Sequence, residues 1–114
     1  MKKKYCFDLD GVICKTIKNF YSRSVPLKDN IKTINNLYSN GHKIIIFTAR
    51  YMGRSNERVS IAKSKGFEMT KKQLNQWGVK YHKLIFGKPS FDVLVDDKAF
   101  NHDFGWCKKI IKKN

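Results

Sequence analysis

Lys43-Ile44-Ile45-Ile46-Phe47-Thr48 is an unbroken apolar run between a lysine and a threonine. It lacks the polar alternation of a half-exposed strand and reads as a strand buried on both faces, the kind found in parallel sheets. Ahead of it, Leu27, Ile31, Ile34 and Tyr38 recur at helical spacing, with Pro26 near the first turn and Gly41 as the stop. Behind it, Ser55 caps an expected helix that runs to about Lys65 and is closed by Gly66. Thr70 and Gln73 form a capping box for a further helix carrying Leu74 and Trp77 and ending at Gly78. Further strands are expected from about Lys4 to Leu9, from His82 to Phe86 and from Asp92 to Val95. Trp106 to Ile111 reads as a helix or an edge strand. Strands alternating with helices imply an α/β architecture, a single Rossmann-like, doubly wound parallel sheet. No repeat, low-complexity segment or linker divides residues 1–114, so one domain is expected.

With 41% apolar and 29% charged residues the chain is globular and soluble in composition. Met1-Lys2-Lys3-Lys4 imitates the basic start of a signal peptide, but Asp8 interrupts the apolar run behind it. No stretch approaches the roughly 18 apolar residues of a membrane span. Cys6, Cys14 and Cys107 are odd in number and widely spaced, which suits reduced thiols in the cytoplasm. The formal charge is +15, and 20 of the 24 basic residues are lysines. That excess fits either lysine-favouring codon usage or a polyanionic partner such as nucleic acid. Arginine is the preferred fork for phosphate, which favours the first explanation.

Asp8, Asp10, Asp96 and Asp97 are four of only nine acidic residues. Asp8 and Asp10 flank Leu9 where the first strand runs into Gly11, so both carboxylates point the same way. Like charges held that close raise each other's proton affinity unless a cation lies between them. The economical reading is a divalent metal with one carboxylate left free to attack or to shuttle protons. Asp8/Asp10, Thr48 and Asp96/Asp97 all fall at expected carboxyl ends of strands, where ligand sites of such sheets lie.

In this order, Asp8-Leu9-Asp10-Gly11, Thr48 after its apolar run, Lys88 between Gly87 and Pro89, then Asp96-Asp97, the chain resembles the haloacid dehalogenase superfamily of phosphohydrolases. The resemblance spans Tyr5 to about Asn101. It implies that Asp8 is the nucleophile of an aspartyl-phosphate mechanism and Asp10 the general acid and base. It further implies Mg2+ held by Asp8, the Asp10 carbonyl and Asp96, with Asp97 as ligand or orienter. Thr48 and Lys88 would hold the phosphoryl oxygens, together with Ala49 and Arg50, which stand just past Thr48. The intervals between Val12 and Lys43 and between Thr48 and Lys88 are filled by loop and helix. A capless member is therefore expected, its open cleft covered by a large substrate or by a neighbouring subunit of a homo-oligomer.

The expected activity is that of a magnesium-dependent phosphomonoesterase on a phosphorylated small molecule, a sugar or polyol phosphate of a surface-polysaccharide pathway. Thr48-Ala49-Arg50, Trp77-Gly78, Tyr81 and Gly87-Lys88-Pro89 are also similar to the phosphatase half of polynucleotide kinases, which keeps a polynucleotide 3′-phosphatase as the alternative. Receiver domains of response regulators form a third reading, a signalling module without turnover. Their acid pair comes first and their phosphorylated Asp ends a middle strand, an order this chain lacks. Several residues also have plainer readings. Asp97 caps the segment from Lys98 as readily as it supports a metal. Lys88 competes with the solvated lysines, Trp77 and Tyr81 read as packing, and Asp92 as part of a turn. His42, His82 and His102 lack metal-ligand spacing.

Overall fold

The structure is a computed structural model that describes residues 2–99 and 105–113. Three strands, β1 (Lys4–Asp8), β4 (Lys43–Thr48) and β5 (Lys83–Phe86), form a parallel sheet in the order β1-β4-β5. Two short strands, β2 (Cys14–Lys15) and β3 (Val25–Pro26), pair antiparallel beside it. Helix α1 (Lys28–Ser39) leads into β4, α2 (Val59–Gln76) crosses from β4 to β5, and α3 (Trp106–Lys113) follows. This is the expected α/β, Rossmann-like architecture in a small domain without a cap. Among the described residues no helix is long and apolar enough to cross a membrane.

The core forms where the helical and strand periods meet. Phe7 of β1 stands opposite Ile46 of β4, and Ile44 and Ile46 are fully buried. Burial of each isoleucine side chain contributes about 2 kcal/mol. Ile31, Ile34 and Leu37 on one face of α1 and Leu74 of α2 pack into the same cluster, and Trp106 and Ile110, one turn apart on α3, complete it. On the other face of the sheet the burial is partial: Ile45 and Phe47 are half-buried and Ile85 is exposed. The apolar run of β4 is thus fully buried on one face only.

α1 and α2 end in the same way. His42 N–H bonds to the Leu37 carbonyl and Gly41 N–H to the Tyr38 carbonyl; Val79 and Gly78 repeat the pattern on Leu74 and Asn75. This six-to-one closure needs a left-handed residue, supplied by Gly41 (φ +90) and Gly78 (φ +71).

Three expectations are corrected. The two helices read between Ser55 and Gly78 are one helix of 18 residues. Gly66 lies buried inside it, where a Cβ would collide with the Tyr51 ring, so this glycine admits a neighbour and stops nothing. Ser55 caps no helix and instead closes a 3-10 turn over Gly53–Ser55. Asp92 to Val95 is not a strand: Val93, Leu94 and Val95 are 77%, 54% and 92% exposed and join no ladder. Trp77 and Tyr81 pack against the core as expected. His42 and His82 use Nδ1 to accept the N–H groups of Lys3 and Ile44, and His102 lies outside the described residues.

Candidate active site at the carboxyl edge of the sheet

Parallel pairing sets Asp8 beside Phe47 and Thr48 beside Phe86, so three strands finish at one edge. The N–H groups of Gly87 and Lys88 both donate to the Thr48 carbonyl, at 3.2 and 3.1 Å, and fold the turn after β5 back over that edge. Lys88 Nζ consequently lies 3.2 Å from Asp8 Oδ2. Asp8 Oδ1 accepts the Leu9 N–H at 2.9 Å. Burial pushes the Asp8 carboxyl above the usual carboxylate range; Lys88 pulls against that rise, and the nearby Asp10 adds to it. The Lys88 ammonium also sits 5.2 Å from the centre of the Phe91 ring.

Thr48 is fully buried, and its Oγ1 accepts the Arg50 N–H at 3.1 Å. Ala49 is half-buried, and its carbonyl accepts the Met52 N–H to begin the turn after β4. Its contribution at this edge is backbone.

Arg50, expected at the phosphate, turns inward and is 1% exposed. Its Nε donates to Asp10 Oδ1 and Oδ2 at 3.2 and 3.0 Å, and Nη2 to Oδ1 at 2.9 Å. Nη1 donates to Thr70 Oγ1 at 3.2 Å and Gln73 Oε1 at 2.6 Å, and Nη2 also reaches Ser24 Oγ at 3.2 Å. A guanidinium has five N–H donors, and all five are engaged here, so none remains for a phosphate. The Tyr21 ring lies 5.0 Å from its central carbon. Asp10 receives further bonds from Thr16 Oγ1 at 2.5 Å and Cys14 Sγ at 3.4 Å. Burial, with the Asp10 charge adding, pushes the Cys14 thiol up to about 11, so it is a neutral donor at physiological pH. A groove of about 420 Å³ opens beside these groups, lined by Asp10, Gly11, Lys15, Thr16 and Leu27.

The expected convergence of all four aspartates is not found. Asp96 and Asp97 are exposed, and Asp96 Oδ1 accepts the N–H of Lys98 at 2.8 Å. With 92–95 outside the sheet, no strand carries the pair to the edge that holds Asp8. Among the described residues no three Asp, Glu, His or Cys side chains come together to hold an ion. Asp10 Oδ1 is crowded by Arg50, Thr16 and Cys14, whereas Oδ2 receives Arg50 Nε alone, and Asp8 pairs with Lys88. These residues as placed do not build a magnesium site.

Arg50 is legible from sequence as a site residue, but in the role of a phosphate ligand; the other groups around Asp10 and Arg50 are not legible as site groups. Thr70 and Gln73 carried a signal, since residues three apart share a helix face. The same spacing also signals a capping box, and only their burial against Arg50 separates the two meanings. Cys14, Thr16 and Ser24 carried no signal of their own.

No family model and no curated protein matches the chain. Among solved structures it is similar to the crystal structure of an MCSG target from Vibrio cholerae. The TM-score is 0.81 at 24% identity, over 99% of this chain and 98% of that one. At that identity the likeness establishes a shared fold along the whole length of both chains: a small α/β domain built on a parallel sheet.

Proposed function

We propose that the protein is a phosphomonoester hydrolase working through an aspartyl-phosphate on Asp8. The observation that carries this reading is the Asp8–Lys88 pair, 3.2 Å apart at the carboxyl edge of a parallel sheet with buried Thr48 ending the strand between them. A carboxylate beside an ammonium and a hydroxyl suits phosphoryl transfer, which depends on positioning and charge neutralisation.

In the first step an Asp8 oxygen bonds to phosphorus while the ester P–O bond breaks. The electron pair leaves on the alcohol oxygen, which takes a proton from Asp10. Water then attacks the phosphorus of the aspartyl-phosphate and gives its proton to Asp10. The Asp8 carboxylate and inorganic phosphate are released. Lys88 and Thr48 hold the phosphoryl oxygens, and Lys88 offsets repulsion between Asp8 and the dianion. Magnesium, with Asp96 and Asp97 as its further ligands, enters this reading through the resemblance alone.

The substrate class that fits best is a sugar or polyol phosphate, with the groove beside Asp10 open to its leaving group. A cytoplasmic location and a homo-oligomer that covers the open cleft belong to the same reading. A polynucleotide 3′-phosphatase is the second reading. It is favoured by Arg54, stacked 5.2 and 4.9 Å from the Tyr21 and Tyr51 rings close to Arg50, and by the net charge of +15.

Turnover of a sugar-phosphate panel and of a 3′-phosphorylated oligonucleotide, with magnesium or chelator and across salt, separates the readings. Multiple-turnover phosphate release on the panel is the expected result, and its response to magnesium and chelator tests the metal that the resemblance implies. Preference for the oligonucleotide with a steep salt slope selects the second reading. Stoichiometric labelling of the protein without turnover points to a receiver-like module and overturns both.

A further inference from the structure

We propose that Arg50 is a positioning residue for Asp10 that decides which carboxylate oxygen faces the reaction; this rests on the phosphatase reading above. The two oxygens of Asp10 are held unequally. Oδ1 receives Arg50 Nη2 at 2.9 Å, Arg50 Nε at 3.2 Å, Thr16 Oγ1 at 2.5 Å and Cys14 Sγ at 3.4 Å. Oδ2 receives only Arg50 Nε, at 3.0 Å, among the described residues. An oxygen with two lone pairs and four donors around it has no room for a substrate proton. Oδ2 does. Proton exchange with the leaving alcohol, and later with water, therefore falls to Oδ2.

The fork can impose this choice because it is buried and held at every donor. Thr70 and Gln73 hold it from α2, Ser24 from the loop before β3, and its own backbone N–H is anchored on Thr48. Gln73 is fixed in turn by donating Nε2–H to the Tyr21 carbonyl at 2.6 Å. The chain Thr48–Arg50–Asp10 thus connects a phosphate-binding group to the proton-carrying group through one rigid side chain. Lysine, a single point charge, cannot reproduce the fork.

The test is Arg50→Lys and, separately, Thr16→Val, each assayed in magnesium on an alkyl phosphate and on p-nitrophenyl phosphate. The value of kcat/KM reports formation of the phospho-enzyme, in which the alkyl leaving group needs a proton and p-nitrophenolate needs none. General-acid contributions run to about 10²–10⁴-fold, so Arg50→Lys is expected to cut kcat/KM on the alkyl substrate by roughly 10²-fold. On p-nitrophenyl phosphate the loss should stay below about tenfold, since a positioned general acid contributes little there. Thr16→Val should show the same split at smaller size. Equal loss on both substrates, or a rise confined to KM, overturns the inference and returns Arg50 to a structural or phosphate-binding role. If Arg50→Lys does not fold, Thr16→Val must show the split or the inference falls. Activity that survives Asp8→Asn overturns the phosphatase reading and this inference with it, whereas uniform loss in the Arg50 and Thr16 variants overturns this inference alone.

Discussion

Lys88 Nζ meets Asp8 Oδ2 at 3.2 Å although the strands that lead to them are not neighbours, because β4 runs between β1 and β5. The turn at Gly87 carries the lysine across by bonding back onto Thr48. Lys83, also in β5, stands exposed at the opposite end of the strand. Lys88→Ala should therefore lower kcat/KM for a phosphate ester by about 10²-fold or more, as loss of one preorganised charge does. Lys83→Ala should leave it within about twofold of wild type, as a surface change away from the site. Equal effects would make Lys88 one more solvated lysine.

Asp8→Asn tests the proposed nucleophile and the cost of partly burying its charge. Turnover should fall by roughly 10³-fold or more if the carboxylate forms the covalent intermediate. Burial raises the Asp8 pKa in the folded state, so its stabilising contribution is complete below the unfolded value and is lost as pH rises through the folded one. At neutral pH the wild type carries that cost, and the asparagine removes it. Thermal unfolding at pH 7 should show a midpoint no lower than wild type; a lower one would mean the Lys88 pair outweighs burial.

Gly66→Ala sets helix propensity against packing. Alanine gains about 1 kcal/mol over glycine within a helix. Here its Cβ would overlap the Tyr51 ring, and that ring is held by Tyr21 at 4.9 Å and by Arg54. Overpacking costs about 1–3 kcal/mol, so the substitution should destabilise the protein. In a Tyr51→Ala background the same change should cost markedly less, since only the Phe86 ring, 3.3 Å from that Cβ, stays close. Denaturant midpoints of the four proteins give the cycle, and additive values would rule out the contact.

His42 gives the stability a pH dependence. Burial, with the positive charges of Lys2 and Lys3 adding, lowers its pKa in the folded state, and Nδ1 must stay unprotonated to accept the Lys3 N–H. A depressed folded pKa means the contribution is present above the unfolded value of about 6.5 and lost as pH falls through the folded one. Melting temperature should drop as pH falls from 7.5 to about 5, within the window set by that unfolded value. His42→Asn, which keeps an acceptor but cannot titrate, should flatten the drop. An unchanged slope would place the acid sensitivity elsewhere.

Where one signal had one meaning, the chain was legible. The spacing of Ile31, Ile34 and Tyr38 has no strand reading, and the isoleucines of β4 no amphipathic-helix reading, so α1 and the central strand were readable from order alone. Gly66 and the Thr70/Gln73 pair carry two meanings each. Locally they say stop and cap; in the folded molecule they say contact with Tyr51 and with Arg50, and the packing overrides. Val93-Leu94-Val95 looks extended and apolar, yet a strand exists only where a neighbour accepts its ladder bonds, and composition names no neighbour.

Residue order alone specified the α/β class, the short intervals that leave no space for a cap, and the delivery of Asp8 and Thr48 to one sheet edge. Those follow from periodicity and chain connectivity, which are local. Only the three-dimensional arrangement decided that Lys88 reaches Asp8, that Arg50 is spent on Asp10, and that Asp96 bonds its own chain at Lys98. The first two depend on which charged groups the fold brings together out of water, and they join residues 40 and 80 positions apart; the third follows from the absence of a strand at 92–95.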